Sequence, residues 1–283
     1  MTTREAVPAA RSILVTGCSS GIGHAAALGL KERGWRVFAG VRNRKDMPAL
    51  EARGLEALHL DYDSPATLSA ALFRILDETD GRLDALFNNG AYSQLGAVED
   101  VATDYLRAQF ESNFFGWHEL IRRVVPVMRR QGSGRIVNCS SVLGFVTTRY
   151  RGPYTASKFA LEGLTDALRL ELTGTGIHVV LIEPGPIVSR LADKAVARFR
   201  ETVDMERSPH RDTYKAVLAQ LEKGEFSSRF KLGPEAVVEK LVRALEDRKP
   251  RARYRVTVPS HASALMKRVF PTSLLDRVML WQR

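Results

Sequence analysis

The stretch Ser12-Ile13-Leu14-Val15-Thr16-Gly17-Cys18-Ser19-Ser20-Gly21-Ile22-Gly23 decides how the whole chain is read. Ser12 to Thr16 is a short apolar run of strand character, stopped by a glycine. Gly17, Gly21 and Gly23 follow at G-x-x-x-G-x-G spacing, and a helical pattern covers 21–33 until Gly34 ends it. Without side chains these glycines let the backbone turn tightly and come close to an anion. The helix they open offers unpaired N–H groups and partial positive charge, which suit a pyrophosphate. A glycine triplet is common by chance; its place between a strand and a helix gives it weight.

Outward from this stretch, strand and helix patterns alternate. Strands are predicted over 36–41, 55–60, 83–87, 135–140 and 178–182. Helices are predicted over 64–79, with Ser64 as cap and Pro65 in the first turn, over 103–130 with a bend at Pro126, and over 154–173. The alternation implies an α/β fold with a doubly wound parallel sheet of Rossmann type, in one domain spanning 1–283. Residues 186–232 are charged, lack strand signals and follow Pro184-Gly185-Pro186, so they read as a helical lid beside the ligand crevice. A helix resumes after Gly233-Pro234-Glu235, and a last strand is expected over 253–258. A helical extension covers about 260–283, in two pieces around Pro271. There, Met266, Phe270, Leu274, Leu275 and Trp281 fall near helical spacing and are expected in the core. Their neighbours Lys267, Arg268 and Arg277 leave weak peripheral membrane contact as a lesser reading.

Hydrophobic content of 45% suits a packed globule. The net charge of +10 is uneven: residues 231–283 hold 12 Lys/Arg against 5 Asp/Glu. The densest basic run, Arg248 to Arg255, reads as a solvated edge. No aromatic-interleaved motif or zinc spacing accompanies it, and no nucleic-acid partner is expected. Two cysteines, Cys18 and Cys139, lie in or beside strands. They read as small core residues, so a reduced, cytoplasmic setting is expected and a disulfide framework is not. No signal peptide pattern, 18-residue apolar stretch or metal cluster stands out.

The end of the second strand bears on cofactor choice. An acid there would bond a free ribose 2′-OH, whereas arginine accommodates a 2′-phosphate. Arg42 follows Val41, Arg44 and Lys45 come next, and the first acid is Asp46. NADP(H) is therefore favoured over NAD(H). Asp61, after the third strand, is a candidate acceptor for the adenine amino group or a plain turn acid.

Tyr154 and Lys158 stand four apart in Pro153-Tyr154-Thr155-Ala156-Ser157-Lys158, so they share one face of a helix. A tyrosine titrates near pH ~10, and a neighbouring ammonium lowers that value. Ser141, thirteen residues upstream, can donate to the same substrate oxygen; Ser140 beside it is the alternative. Asn113 lies among apolar neighbours in Glu111-Ser112-Asn113-Phe114-Phe115-Gly116, a cost to helix propensity unless it faces something polar. His178, just before a strand, reads as structural.

These residues together resemble a short-chain dehydrogenase/reductase over essentially the whole chain. Thr16-Gly17 with Gly21-Ile22-Gly23 is similar to the family's cofactor loop, and Asn113, Ser141, Tyr154 and Lys158 match its catalytic tetrad. Asn88-Asn89-Gly90-Ala91 stands where the family carries Asn-Asn-Ala-Gly, with the last two inverted, and Pro184-Gly185 matches the turn after strand six. Residues 154–164, 182–186 and 251–254 resemble the 17β-hydroxysteroid and retinol dehydrogenase branch. Residues 230–238 resemble bacterial NADP-dependent aldehyde reductase-like members.

The resemblance implies hydride transfer between NADP(H) and a carbonyl or alcohol, with an apolar substrate that is steroid-like, retinoid-like or aliphatic. It implies that Tyr154 exchanges the proton, Lys158 holds the nicotinamide ribose and lowers the tyrosine pKa, Ser141 stabilises the oxygen, and Asn113 anchors a water. Cofactor contacts are implied for Gly17, Ser19, Ser20, Gly21, Ile22, Gly23, Arg42, Asp61, Asn89, Gly90, Tyr154, Lys158, Pro184, Gly185, Ile187 and Ser189. Ser189 keeps a hydroxyl where many members have threonine. A homo-oligomer, dimer or tetramer, is expected through the helices at about 103–130 and 154–173. The competing readings are a non-catalytic NADP(H)-sensing protein and a nucleic-acid module built on the basic run.

Overall fold

A computed structural model describes residues 10–222 and 230–281. Seven parallel strands form one sheet in the order β3-β2-β1-β4-β5-β6-β7. They are β1 (Ser12–Thr16), β2 (Arg36–Val41), β3 (Glu56–His59), β4 (Ala85–Asn88), β5 (Gly134–Cys139), β6 (Ile177–Glu183) and β7 (Arg253–Arg255). The helices are α1 (Gly21–Glu32), α2 (Met47–Glu51), α3 (Pro65–Glu78), α4 (Thr103–Phe110), α5 (Gly116–Gln131), α6 (Gly152–Glu171), α7 (Leu191–Thr202), α8 (Arg211–Glu222), α9 (Glu235–Glu246), α10 (Val258–Val269) and α11 (Thr272–Trp281). From β1 the order runs outward to β3 and then returns on the other side to β4. The crevice between the C-terminal ends of β1 and β4 is thus the switch point, where ligands bind in such sheets.

The strands are apolar on both faces because helices cover both. Ile13 and Val15 face the layer containing α1 and α9, through Ala26, Leu30, Val237 and Leu241. Leu14 faces the opposite layer, through Leu68 and Ile75 of α3 and Leu120 and Val124 of α5. Helix α1 ends as its glycine predicts: Gly34 takes φ +83° and its N–H bonds Lys31 O at 2.9 Å. His178 stays in β6 opposite Arg135.

Several expectations are corrected. The predicted long helix is two helices joined by a π turn at Glu111–Phe115, and α5 continues through Pro126. Short α2 carries no periodic signal and was not predicted. Ser64 occupies its cap position without a side-chain bond to the helix. In the C-terminal pair only Leu275 of the predicted apolar set is buried. Met266 and Phe270 are half-buried, Leu274 is exposed, and the Trp281 side chain lies outside the described residues. No described helix is long and apolar enough to cross a membrane.

Residues 186–232 leave the sheet after β6 as α7, a short 3₁₀ turn and α8; 223–229 lie outside the described residues. The excursion starts and finishes at one place. Ile187 bridges Leu232, Val188 N bonds Leu232 O at 2.9 Å, and Leu232 N bonds Pro186 O at 3.2 Å.

Gly116 follows the π turn against Tyr62, and a Cβ there would stand 2.8 Å from Tyr62 O and press on its side chain. Gly116→Ala is expected to lower stability by about 1–3 kcal/mol through overpacking, read as a lower urea midpoint at unchanged slope. An unshifted midpoint would show that Tyr62 yields freely.

Candidate active site

The cleft begins with the glycine loop. A Cβ on Gly17 would stand 2.6 Å from Gly90 Cα, and one on Gly23 would lie 2.8 Å from Gly17 C. The loop therefore packs backbone against backbone, with Gly17 and Gly21 at φ +72° and +60°. Ser20 stands at the N-cap of α1 without bonding its side chain to the helix, so the first-turn N–H groups keep their capacity for an anion. Ser189 sits over this loop, its Cβ 3.3 Å from where a Cβ on Gly21 would be.

Thr16 ties the loop to β4. Its hydroxyl accepts from Asn89 N (2.8 Å), Gly90 N (3.2 Å) and the Tyr62 hydroxyl (2.7 Å), and donates to Phe87 O (3.2 Å). Asn89 returns a bond from Nδ2 to Thr16 O at 3.0 Å. The Gly90-Ala91 inversion has a physical reason here. A methyl on Gly90 would lie 3.2 Å from Tyr62 Cε2 and 3.3 Å from Gly17 N, which is tight. Behind this wall Asn88 Nδ2 bonds Asn138 Oδ1 (3.0 Å), and Asn138 Nδ2 bonds Thr165 Oγ1 (2.9 Å). Tyr62 and Asn138 carried no motif in the sequence, and Thr16 stood there only as the first residue of the glycine motif.

Arg42, Arg44 and Lys45 are exposed beyond β2, and none forms an ion pair among the described residues. Asp61 closes a local turn, its Oδ1 accepting from Asp63 N at 3.2 Å. After β6, Pro184 O accepts from Val142 N at 2.7 Å, and Gly185 is packed against Thr257.

Tyr154 and Lys158 project from α6 and are buried, at 7% and 1% exposure. Lys158 Nζ donates to Cys139 O at 2.8 Å, lies 4.3 Å over the Trp117 ring, and is 5.8 Å from the Tyr154 ring centroid. Trp117 is itself held by an indole bond to Gly90 O at 2.9 Å. Burial lowers the Lys158 pKa to about 8, against smaller opposing influences of Cys139 and Glu162. Burial pushes Tyr154 up to about 12; the opposing influences are a hydrogen bond with Ser141 and the charge of Arg151. Burial outweighs every neighbouring charge in setting the tyrosine pKa, and the Lys158 ammonium lies against a carbonyl and an indole face. Arg151, missed in the sequence, is legible afterwards as a cation three residues before Tyr154.

Ser141 is preferred to Ser140. The Ser141 hydroxyl accepts from Leu143 N at 3.1 Å, capping a short turn, while its own proton is available toward Tyr154. Ser140 turns instead toward Glu162. Asn113 is fully buried in the π turn. Its Nδ2 donates to Tyr92 O at 2.9 Å and its Oδ1 accepts from Tyr92 N at 3.2 Å. The amide therefore clamps the loop after β4.

The basic run is also more than a solvated edge. Arg253 pairs with Glu162 (3.2 Å), Asp166 (2.6 Å) and buried Glu183 (2.9 Å), and Arg255 pairs with Glu183 at 3.0 Å. These pairs tie α6 to the end of β6, directly before Pro184-Gly185. Arg248, Lys249 and Arg251 do remain exposed.

Helices α7 and α8 dock on residues 94–100. Gln94 Nε2 bonds Thr202 Oγ1 (2.8 Å), Asp100 accepts from Ser208 (2.6 Å) and Tyr214 (2.5 Å), and His210 bonds Glu99 (2.8 Å). An apolar cluster of Ala97, Phe199, Val203 and Tyr214 fills the space between. Beside it opens a cavity of ≈ 690 Å³ lined by Arg149, Tyr150 and His210. Both cysteines are buried and free, and no metal-binding cluster occurs among the described residues.

The sequence model of the family described as short chain dehydrogenase matches residues 11–199. The chain is 39% identical over 269 residues to the uncharacterized oxidoreductase YbbO of Escherichia coli (strain K12), covering 95% of this chain and 94% of that protein. It is 31% identical over 280 residues to the NADPH-dependent 3-dehydrocapnine reductase of Ornithobacterium rhinotracheale, covering 95% of each. It is 33% identical over 257 residues to 17-beta-hydroxysteroid dehydrogenase type 1 of Homo sapiens, covering 87% of this chain and 77% of that protein.

Burial raises the Glu162 carboxyl to about 7 from an ordinary 4.5. A raised carboxyl stabilises the fold while protonated, and that contribution is lost as pH climbs through the folded value. Stability is therefore expected to fall between about pH 4.5 and 7. Glu162→Gln is expected to flatten this slope, which is on the order of 1–3 kcal/mol. Urea midpoints across that range provide the measurement, and an unchanged slope in the variant would contradict the assignment.

Proposed function

The chain belongs to the short-chain dehydrogenase family, and on that premise we propose that it reduces aldehydes or ketones with NADPH as hydride donor. The observation that carries this is the placement of Tyr154, Ser141 and Lys158 at one end of the cleft whose other end is the glycine loop. The loop fits a dinucleotide: its glycines leave no room for side chains, and α1 presents uncapped N–H groups. Gly17 to Gly23 would hold the pyrophosphate, and Arg42, Arg44 and Lys45 the 2′-phosphate. Asn89 and Gly90 would line the adenosine side, with Asp61 near the adenine. Lys158 and Tyr154 would hold the nicotinamide ribose, and Pro184, Gly185, Ile187 and Ser189 the carboxamide side.

When bound, the reduced nicotinamide supplies the hydride. The protein's part is the proton. Tyr154, kept protonated by its burial, gives its phenolic proton to the carbonyl oxygen as that oxygen gains charge, so the product is an alcohol. Ser141 donates to the same oxygen and orients it. Lys158 holds positive charge beside the tyrosinate left behind, at the helical spacing that puts both on one face. A phenol that strongly favours its protonated form suits the reductive direction.

The three cations after β2, without an ion pair among the described residues, support NADP(H) over NAD(H), as does the NADPH dependence of the O. rhinotracheale relative. The excursion 186–232 acts as the substrate lid, and its apolar cluster supports a largely apolar substrate, steroid-like, retinoid-like or aliphatic. A cytoplasmic homo-oligomer is part of the same reading.

Tyr154→Phe is expected to bind NADPH as the parent does, by fluorescence titration, and to lose at least about a hundredfold in kcat with any aldehyde the parent reduces. Activity within tenfold of the parent would remove Tyr154 from its role. NADPH binding with no turnover over a broad aldehyde and ketone panel would favour a sensing protein. Arg42→Ala is expected to raise KM for NADPH by about tenfold, the worth of one charge-assisted contact, with KM for NADH little changed. Equal effects on both cofactors would refute the 2′-phosphate assignment.

A further inference from the structure

The loop before α6 carries a cation that the proposed mechanism leaves unused. Arg151 is half-buried at the N-cap of α6. Its backbone is fixed on both sides: it bridges Gly96, Gly96 N donates to Tyr150 O at 2.9 Å, and Thr155 N donates to Arg151 O at 2.9 Å. Tyr150, just before it, is held at φ +63°, a left-handed conformation that a side chain makes costly. Its ring is wedged edge-on against His210 (5.4 Å) and Tyr214 (5.3 Å), which keeps it there. A strained residue sustained by its surroundings marks a place where position matters.

The Arg151 guanidinium has no ion pair, hydrogen bond or ring partner among the described residues. The acids of the facing loop are already engaged, Glu99 by His210 and Asp100 by Ser208 and Tyr214. The first turn of α6 holds no acid. A guanidinium stays charged at any working pH, and withdrawing it from water without an anion is costly. This one stands three residues before Tyr154, one turn away at the start of α6, and within electrostatic reach of it. Its planar fork matches a carboxylate or a related oxyanion.

We propose that Arg151 receives an acid group carried by the substrate itself, so that the preferred substrates are oxo acids: molecules with the reacting carbonyl and an anionic group on one apolar frame. The inference rests on the reductase reading above and narrows its substrate class. Arg151 would then be a specificity-determining residue, with the acid group setting how the carbonyl meets Tyr154 and Ser141.

The test uses the full chain, NADPH consumption and two matched pairs: para-carboxybenzaldehyde with its methyl ester, and a long-chain ω-oxo fatty acid with its methyl ester. Each acid is expected to exceed its ester in kcat/KM by about tenfold or more, the worth of one charge-assisted contact. Arg151→Met is expected to bring the acid-to-ester ratio close to one, mainly through KM of the acid. Arg151→Lys should keep part of the preference as a point charge. The ratio is insensitive to a misfolded fraction, which lowers both substrates alike. A parent enzyme that treats acid and ester equally overturns the proposal and leaves the reductase reading standing. So does an Arg151→Met variant whose ratio is unchanged, because its effect then runs through Tyr154 alone. If neither pair is reduced, the oxo-acid proposal is overturned, and turnover of other aldehydes or ketones in the broad panel decides whether the reductase reading stands.

Discussion

The hydroxyl of Thr16 is the joint on which the cleft is assembled. One oxygen at the end of β1 gathers two backbone N–H groups from the loop after β4 and the phenol of Tyr62. Those bonds fix the distance between the two strands at the point where the sheet's order reverses, and that is where its opening lies. Gly17 and Gly90 meet backbone to backbone across this joint, and Trp117 is bonded to Gly90. The indole in turn forms the floor under Lys158. The glycine loop and Lys158 are therefore linked through a chain of three contacts, Thr16 to Gly90, Gly90 to Trp117 and Trp117 to Lys158, all between buried or half-buried residues.

Burial sets the electrostatics at the other end. Tyr154 is pushed up and Lys158 down, both because water is withdrawn from them. Neither shift comes from a charged partner at contact distance. Lys158 keeps its proton through a carbonyl and an aromatic face, which favour the ammonium without neutralising it. A positive charge held in this way remains available to whatever develops negative charge beside it. A carboxylate in the same position would have cancelled that field.

Sequence alone exposed the features that depend on local spacing. The glycines between β1 and α1, the four-residue step from Tyr154 to Lys158, and the apolar strand runs are all set by backbone period, so their positions on the fold follow directly. What escaped depends on contacts between distant segments. The π turn at Glu111–Phe115 exists where Asn113 clamps Tyr92, and no periodic pattern announces that. Arg253 reads as one more cation in a basic run until β7 lies beside β6 and Glu183 comes within 2.9 Å. The apolar residues of α10 and α11 follow helical spacing, but among the described side chains only Leu275 finds a buried place, because periodicity does not say whether a partner surface exists. The thirteen-residue spacing to Tyr154 favours Ser141 over Ser140, and the turn at Val142–Gly144 adds the physical reason, since it holds the Ser141 hydroxyl toward Tyr154.

The excursion between β6 and α9 leaves and rejoins the body at a single bridge, Ile187 with Leu232. Such a closure makes it a cassette. Its ends are pinned, so insertions, deletions or wholesale replacement between them need not disturb strand register. Diversification among proteins of this architecture then has a natural unit of exchange.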